Sequence, residues 1–211
     1  MTDLAIGGLT AFTTVDYPDH LAAVVFCQGC PWRCQYCHNQ HLQPRRSAGT
    51  TRWTWERLEA FLNDRRGLLE AVVFSGGEPT VQAALPEAMQ AVRAKGFLVG
   101  LHTAGIYPER LAAVLPLADW VGLDIKAPFD ERYDRVTGRP HSAARVERSL
   151  ALVQASGVFY QLRTTIHPEL LGPADCFRIE SEMRRRRAGA VVWQPYRERP
   201  MQMGGARPAF P

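Results

Sequence analysis

Cys27-Gln28-Gly29-Cys30-Pro31-Trp32-Arg33-Cys34-Gln35-Tyr36-Cys37-His38-Asn39 carries four of the chain's five cysteines within thirteen residues. Cys30, Cys34 and Cys37 fall at C-x3-C-x2-C spacing. Thiolates this close on a short loop converge, and a metal centre is the usual reason. Chance rarely places four of five cysteines together. A disulfide requires an oxidising compartment. The start, Met1-Thr2-Asp3-Leu4, lacks the basic cluster and apolar run of a signal peptide, so a cytoplasmic, reducing location is expected. On the loop alone three metal readings stay open. With Cys27 the thiols form two C-x2-C pairs, suiting a closed zinc site or a ferredoxin-like cluster. With only three of them, one iron of a four-iron cluster is left open to a ligand.

Outward from this loop the chain alternates short apolar runs with helical stretches. Ala22 to Phe26 reads as a buried strand feeding the loop, and residues 4–20 as a polar lead-in compatible with a short hairpin. Pro44 to Gly49 is a polar connector, and Trp53 to Arg66 has helical spacing with Thr51 or Thr54 near its cap. Then come strand Ala71–Phe74, helix Val81–Lys95, strand Phe97–Leu101, helix Pro108–Leu115, strand Trp120–Leu123, helix Ser142–Ser156, strand Val158–Thr165, helix Pro173–Arg187 and strand Ala190–Trp193. Six strands alternating with helices predict an α/β fold with a parallel sheet. Six units are too few for a closed eight-stranded barrel, and periodicity does not choose between a flat doubly wound sheet and a partial barrel.

Composition supports an ordinary core, with 46% apolar and 22% charged residues in 211. No run of eighteen apolar residues occurs, so no membrane partner is expected. The net charge of +4 is mild, and its densest run, Arg184 to Arg187, reads as the solvated end of a helix. No aromatic residues interleave with it, so nucleic acid is a minor reading and not the expected partner. Of 25 basic residues only Lys95 and Lys126 are lysines. Cys176, alone on a helix, reads as a buried small hydrophobe.

The polar residues gather where a parallel α/β fold binds ligands, at the C-terminal strand ends. The first strand ends in the cysteine loop and the second in Ser75-Gly76-Gly77-Glu78-Pro79. His102-Thr103 follows the third, Asp124 and Lys126 the fourth, Arg163 lies late on the fifth, and Gln194-Pro195-Tyr196 ends the sixth. Each has a bland reading: a tight turn at Gly76-Gly77, a helix-start carboxylate at Glu78, a structural histidine, a surface lysine. Their shared location beside a metal-type loop describes a lined cavity.

With these residues in place, Cys30-x3-Cys34-x2-Cys37 with aromatic Tyr36 before the last cysteine resembles the signature loop of the radical S-adenosylmethionine (SAM) enzymes. Gly76-Gly77-Glu78-Pro79 is similar to that superfamily's second motif. Gln28-Gly29-Cys30, Cys37-His38-Asn39 and Phe74 to Thr80 resemble the activating proteins of glycyl radical enzymes, as does Asp124-Ile125-Lys126. The lead-in Phe12-Thr13-Thr14-Val15-Asp16-Tyr17-Pro18 resembles the subgroup that activates anaerobic ribonucleoside-triphosphate reductase. The likeness spans residues 7–196.

The resemblance implies a partial (βα)6 TIM-type barrel in one domain, with residues 1–21 as lead-in, 22–196 as barrel and 197–211 as a loose tail. It implies a 4Fe-4S cluster on Cys30, Cys34 and Cys37, whose fourth iron is chelated by SAM. Reductive cleavage of SAM gives a 5′-deoxyadenosyl radical that takes hydrogen from a glycine of a partner, the large chain of an anaerobic ribonucleotide reductase. The electron comes from a flavodoxin- or ferredoxin-type donor. SAM contacts are expected from Tyr36, Gly76, Gly77, Glu78, Pro79, His102, Thr103, Asp124, Lys126 and Arg163. Glu78 is expected to steady its turn or accept from the SAM ammonium, and Lys126 to pair with the carboxylate as a point charge. Two departures matter. His102-Thr103-Ala104-Gly105 stands where the family often has Asp-Thr-Asn-Gly, which weakens a cation site and part of the ribose contacts. Cys27 stands where a small polar residue is commoner, and is expected to lie outside the cluster. Competing readings are a radical SAM enzyme acting on a small molecule, of the deazapurine-synthesis type, and a non-catalytic four-cysteine zinc or iron–sulfur module.

Overall fold

In a computed structural model, residues 3–45 and 53–197 are described. Part of the connector Pro44–Gly49, the alternative cap Thr51 and the tail beyond Arg197 lie outside them. Seven strands form one sheet in chain order. They are β1 (Ile6–Thr13), β2 (Ala22–Cys27), β3 (Ala71–Gly76), β4 (Leu98–Thr103), β5 (Trp120–Asp124), β6 (Phe159–Ile166) and β7 (Val191–Pro195). From β2 to β7 every pairing is parallel, and β1 adds antiparallel to β2. The lead-in is therefore a strand of the sheet. Glycines 7 and 8 and two register irregularities along β1 blur the alternation that would announce it.

The strand order settles the choice that periodicity leaves open. A doubly wound sheet reverses direction at a switch point, whereas β2 to β7 run onward without reversal. Right-handed crossovers always taken in one direction put every helix on one face and curl the sheet. Core packing shows the same division. Ala23, Val25, Val72, Phe74, Val99, Leu101, Val121 and Leu123 share a core with Leu58, Met89, Leu111, Val146 and Ile179 of the helices. Their alternates Ala22, Val24, Ala71, Val73 and Trp120 form a separate inner cluster with Tyr17. The result is a partial TIM-type barrel whose end strands, β1 and β7, do not pair.

The helices are α1 (Trp55–Asp64), α2 (Leu85–Ala94), α3 (Pro108–Val114), α4 (Glu131–Thr137), α5 (Ser142–Ser156) and α6 (Pro173–Arg185). Thr54 caps α1 by accepting from Arg57 N, and α2 buries Leu85, Ala88, Met89 and Val92 at helical spacing. Helix α4 is absent from the sequence reading, because only Tyr133, Val136 and Thr137 of its seven residues are buried. Its signals are the cap Asp130, which accepts from Arg132 N, and left-handed Gly138 at its end. Cys176 is half-buried on α6 rather than buried.

Tyr17, from the β1–β2 turn, fills the lower lumen with its ring 5.4 Å from Trp120. A Cβ at Gly100 would lie 3.0 Å from the Tyr17 ring, so a glycine on the inner face makes room for this plug. The lumen is thus packed below and open to side chains above.

Candidate active site

Strand parity decides which side chains enter the lumen. Successive side chains alternate faces. Ser75, His102, Asp124 and Arg163 therefore share the inner face, on the C-terminal side of the packed layer. Asp124 and Arg163 are also direct cross-strand partners. The same parity sends Cys27 outward, where it is sealed in the helix-side core with Ala23 and Val25. Burial pushes its thiol up, with Glu78 adding to the shift.

A cavity of about 190 Å³ opens at the C-terminal strand ends. It is lined by Cys30, Cys34, Tyr36, Cys37, Gly76, Gly77, His102, Thr103, Asp124, Lys126 and Arg163, together with Trp32, His38, Asn39, Ser75, Ala104 and Thr165. All the sequence-predicted site residues except Glu78 and Pro79 meet there. Trp32 and Ser75 lie within the sequence motifs without being singled out as contacts, and Thr165 is flagged only by its strand-end position.

The cysteine loop is held along its length by backbone bonds. Gly29 N donates to Leu42 O at 2.7 Å and Cys30 N to Gln43 O at 3.0 Å. Buried Gln28 clamps the loop's return by donating to the carbonyls of His41 and Pro44. Burial pushes the Cys30 thiol up to about 12 and raises that of Cys34, against which Lys126 pulls. Metal ligation reverses such shifts, since a coordinating thiol is deprotonated outright. Among the described residues no three His, Cys, Asp or Glu side chains close tightly enough to hold a single ion. Cys30, Cys34 and Cys37 all line the cavity, and three thiols are a soft donor set of the kind that suits an iron–sulfur cluster.

The Gly76-Gly77 turn lies backbone to backbone on that loop. Gly77 N donates to Cys27 O and Glu78 N to Gly29 O, both at 2.9 Å. A Cβ on Gly77 would lie 2.3 Å from the Gly29 carbonyl oxygen, and Gly76 has φ 110°. Close approach of two loops demands these glycines before any ligand does.

Glu78 turns away from the cavity and is fully buried. Its Oε1 accepts from Thr80 N at 3.1 Å, Thr80 Oγ1 at 2.6 Å and Thr103 Oγ1 at 2.7 Å, and its Oε2 from Ala104 N at 2.8 Å. Burial raises its pKa while these four donors pull against the rise. The carboxylate ties the turn after β3 to the end of β4. Of the two roles expected for Glu78, steadying its turn is the one these bonds serve. Thr103 is likewise occupied, donating to Glu78 and accepting from Gly105 N at 3.0 Å. Pro79 opens a one-turn helix and is buried behind the cavity.

On the opposite wall Asp124 joins two cations. Arg163 Nη2 donates to its Oδ1 at 2.8 Å and Lys126 Nζ to its Oδ2 at 3.2 Å. Asp-x-Lys is a strand spacing, so both side chains leave the same face. Burial disfavours the Asp124 charge, but Lys126 and Arg163 outweigh it and hold the carboxyl at about 2. Burial likewise opposes the Lys126 charge, and the adjacent carboxylate holds its pKa well above the ordinary value. One carboxylate against two cations leaves a net positive wall.

Lys126 Nζ also lies 5.8 Å from the centre of the Tyr36 ring. The Tyr36 hydroxyl is buried and has no hydrogen-bond partner among the described residues. His102 Nε2 is 2.8 Å from Asp16 O, which links the cavity wall to the lumen plug. Burial, with Arg163 adding, pushes His102 down to about 3, so the ring is neutral.

Comparison with known proteins agrees with this geometry. Residues 24–171 match the family model described as the radical SAM superfamily. A Methanocaldococcus jannaschii protein provisionally named a glycyl-radical enzyme activating enzyme is 32% identical over 177 residues, 81% of this chain and 71% of that protein. The pyruvate formate-lyase-activating enzyme of Clostridium pasteurianum is 32% identical over 171 residues, 78% of this chain and 69% of its own. Among solved structures, Escherichia coli QueE shares the fold at TM-score 0.52 and 16% identity, covering 90% of this chain and 93% of QueE. Streptococcus suis SuiB bound to S-adenosylmethionine aligns at TM-score 0.64 and 13% identity over 86% of this chain, which spans 42% of SuiB. With the motif loop, the barrel and the family match in agreement, the chain belongs to the radical SAM superfamily.

Proposed function

We propose that this chain, as a single domain, activates a glycyl radical enzyme, the large chain of an anaerobic ribonucleotide reductase, using a flavodoxin- or ferredoxin-class reductant. Cys30, Cys34 and Cys37 would hold the 4Fe-4S cluster. SAM would lie between the Gly76-Gly77 backbone and the Asp124–Lys126–Arg163 wall. Bound there, cluster and SAM together supply one-electron cleavage of the sulfonium and a carbon-centred radical that takes hydrogen from a glycine. The carrying observation is that three thiols and this net-positive wall face one cavity, while the fourth clustered cysteine faces the helix-side core.

The protein's own groups have separable tasks. Lys126 and Arg163 attract a carboxylate, and Asp124 aims both and keeps Lys126 charged. Neutral His102 has one ring nitrogen engaged by Asp16, leaving the other to accept from a hydroxyl. Tyr36 brings a buried hydroxyl, unpaired among the described residues, to the cavity wall, open to a bound polar group. Glu78 positions the glycine turn. The reductase assignment rests on the likeness of Phe12 to Pro18, with pyruvate formate-lyase as the competing partner.

Anaerobic reconstitution with iron and sulfide tests the reading. A reduced cluster whose EPR signal changes on adding SAM is expected, followed by a glycyl radical doublet on the reductase chain but not on pyruvate formate-lyase. Cys34→Ala should lose iron and SAM cleavage, and Cys27→Ala should keep both. One stoichiometric zinc, no response to SAM, or equal loss in both variants refutes it. SAM cleavage with no radical on either partner moves the chain to small-molecule chemistry.

A further inference from the structure

Helix α4 ends against the outer side of the cysteine loop, and the seam between them carries positive charge. Gly138, at φ 65°, lets the chain turn beneath the loop, where a Cβ would lie 3.2 Å from the Arg33 carbonyl. Arg33 N donates to Thr137 O at 2.8 Å and Gln35 N to Val136 O at 3.2 Å. Arg33 Nη1 donates to the carbonyls of Cys30 at 2.7 Å and Trp32 at 2.8 Å, and Arg139 Nε to that of Pro31 at 2.8 Å. The segment bearing Cys30 and Cys34 is therefore locked to a rigid surface.

Three exposed arginines, Arg33, Arg135 and Arg139, crown this seam. Among the described residues no carboxylate pairs with any of them within salt-bridge distance. Asp134, beside Arg135, instead accepts from Ser142 and His141. Arg135 also complements the C-terminal end of α4, but Arg33 and Arg139 lie outside the helix and have no such use. Carbonyl bonds leave the guanidinium charge intact and fix its position. The only aromatic side chain in the loop segment 30–35, Trp32, is buried, so the seam offers nothing on which bases could stack.

We propose that this seam docks a small acidic one-electron carrier protein and admits its electron through the Cys30–Cys34 segment. The inference rests on the activase reading and names the surface its reductant uses. In the step itself the carrier is oxidised by one electron and the cluster reduced by one, with no bond made or broken. Complementary charge across such a rim raises the encounter rate and makes it fall with salt.

The test uses the reconstituted enzyme with flavodoxin in its hydroquinone state, and dithionite as a reductant that needs no docking. Binding of flavodoxin is measured by isothermal titration and SAM cleavage by methionine release, at low and high salt. Arg135→Glu with Arg139→Glu should weaken binding and flavodoxin-driven kcat/KM by about tenfold at low salt and flatten the salt dependence. Arg135→Glu alone, which leaves the Arg139–Pro31 bond intact, should show a smaller shift of the same kind. Dithionite-driven cleavage by this single variant, which keeps every arginine bond to the loop described above, should stay within about twofold of wild type. Salt-independent binding by the wild type, or unchanged binding by the double variant, overturns the proposal. So does a parallel loss of iron and dithionite-driven cleavage in Arg135→Glu, which would mean that Arg135 only holds the loop. Failure of dithionite to drive cleavage in the wild type would instead sink the activase reading, and the binding arm would still decide the docking surface.

Discussion

Glu78 separates a structural carboxylate from a ligand-binding one. In Glu78→Gln the amide oxygen, placed at Oε1, keeps the three donors from Thr80 and Thr103. The amide nitrogen then faces Ala104 N, a donor against a donor, and the 2.8 Å bond is lost. Leaving a buried donor unpaired costs about 1–3 kcal/mol, and the three remaining bonds weaken without the charge. Removal of a buried carboxylate's desolvation cost offsets part of this, so a net loss of about 2 kcal/mol is expected. With an m-value of about 3 kcal/mol/M, the urea midpoint falls by about 0.7 M. Glu78→Ala strands all four donors and should cost about 3–5 kcal/mol. Unfolding of the apoprotein and SAM affinity of the reconstituted Gln variant are measured side by side. Because the carboxylate faces away from the cavity, affinity should drop by no more than about tenfold, about 1.4 kcal/mol. A Gln variant as stable as wild type whose SAM affinity falls by more than about a hundredfold, about 2.7 kcal/mol, would place the carboxylate on the ligand and refute the reasoning.

Gly77→Ala puts a Cβ 2.3 Å from the Gly29 carbonyl, against backbone that cannot yield like a side chain. A loss of about 2–3 kcal/mol together with weakened iron retention is expected, and unchanged iron content after desalting would count against the close packing of the two loops. Tyr36→Phe removes a buried hydroxyl with no partner among the described residues, so the apoprotein should be unchanged or up to about 1 kcal/mol more stable in urea; a loss above about 1 kcal/mol would reveal a hidden bond. Asp124, held at about 2 against its ordinary 3.8, contributes stability that is present above pH 3.8 and lost as pH falls toward 2. The shift corresponds to about 2 kcal/mol, or about 1–2 once its 30% exposure is allowed for. The cost of Asp124→Asn, measured by urea unfolding of the apoprotein, should therefore be larger at pH 7 than near pH 2.5 by that amount, and a cost flat with pH would remove the ion pairs as its source.

What could be read from residues alone follows the physical range of each signal. The βα rhythm was legible because buried parallel strands are nearly continuous apolar runs, as at Ala22 to Phe26 and Ala71 to Phe74. Strand β1 hides in the lead-in because its glycines and two register irregularities erase the local period. Helix α4 was missed for the opposite reason: it is held by capping at Asp130 and Gly138 and by backbone bonds to the cysteine loop, and hardly by an apolar stripe. Helix α2 runs Leu85–Ala94 rather than from Val81, because Pro79 to Val81 forms its own short turn on which Glu78 acts as cap. At the site, residue types at strand ends sufficed to gather Asp124, Lys126 and Arg163. Glu78 required coordinates, since a carboxylate beside a glycine turn looks the same whether it faces the ligand or the next strand.

Parity joins these observations. Cys27 completes a plausible four-thiol motif in sequence, yet it is the last residue of β2 and three positions before Cys30, which lies beyond the strand. Its register partner is Gly76, on the outward-facing set of β3, so its side chain belongs with Val25 and Phe74 under the helices. To reach the cavity the strand would have to slip by one residue, and that would turn Ala23 and Val25 into the lumen and expel Ala22 and Val24 from the cluster around Tyr17. A one-residue slip costs the whole inner layer, which is far more than one metal–thiolate contact could offset. The barrel's packing thus limits the loop to three thiols at the cavity and keeps the fourth under the helices.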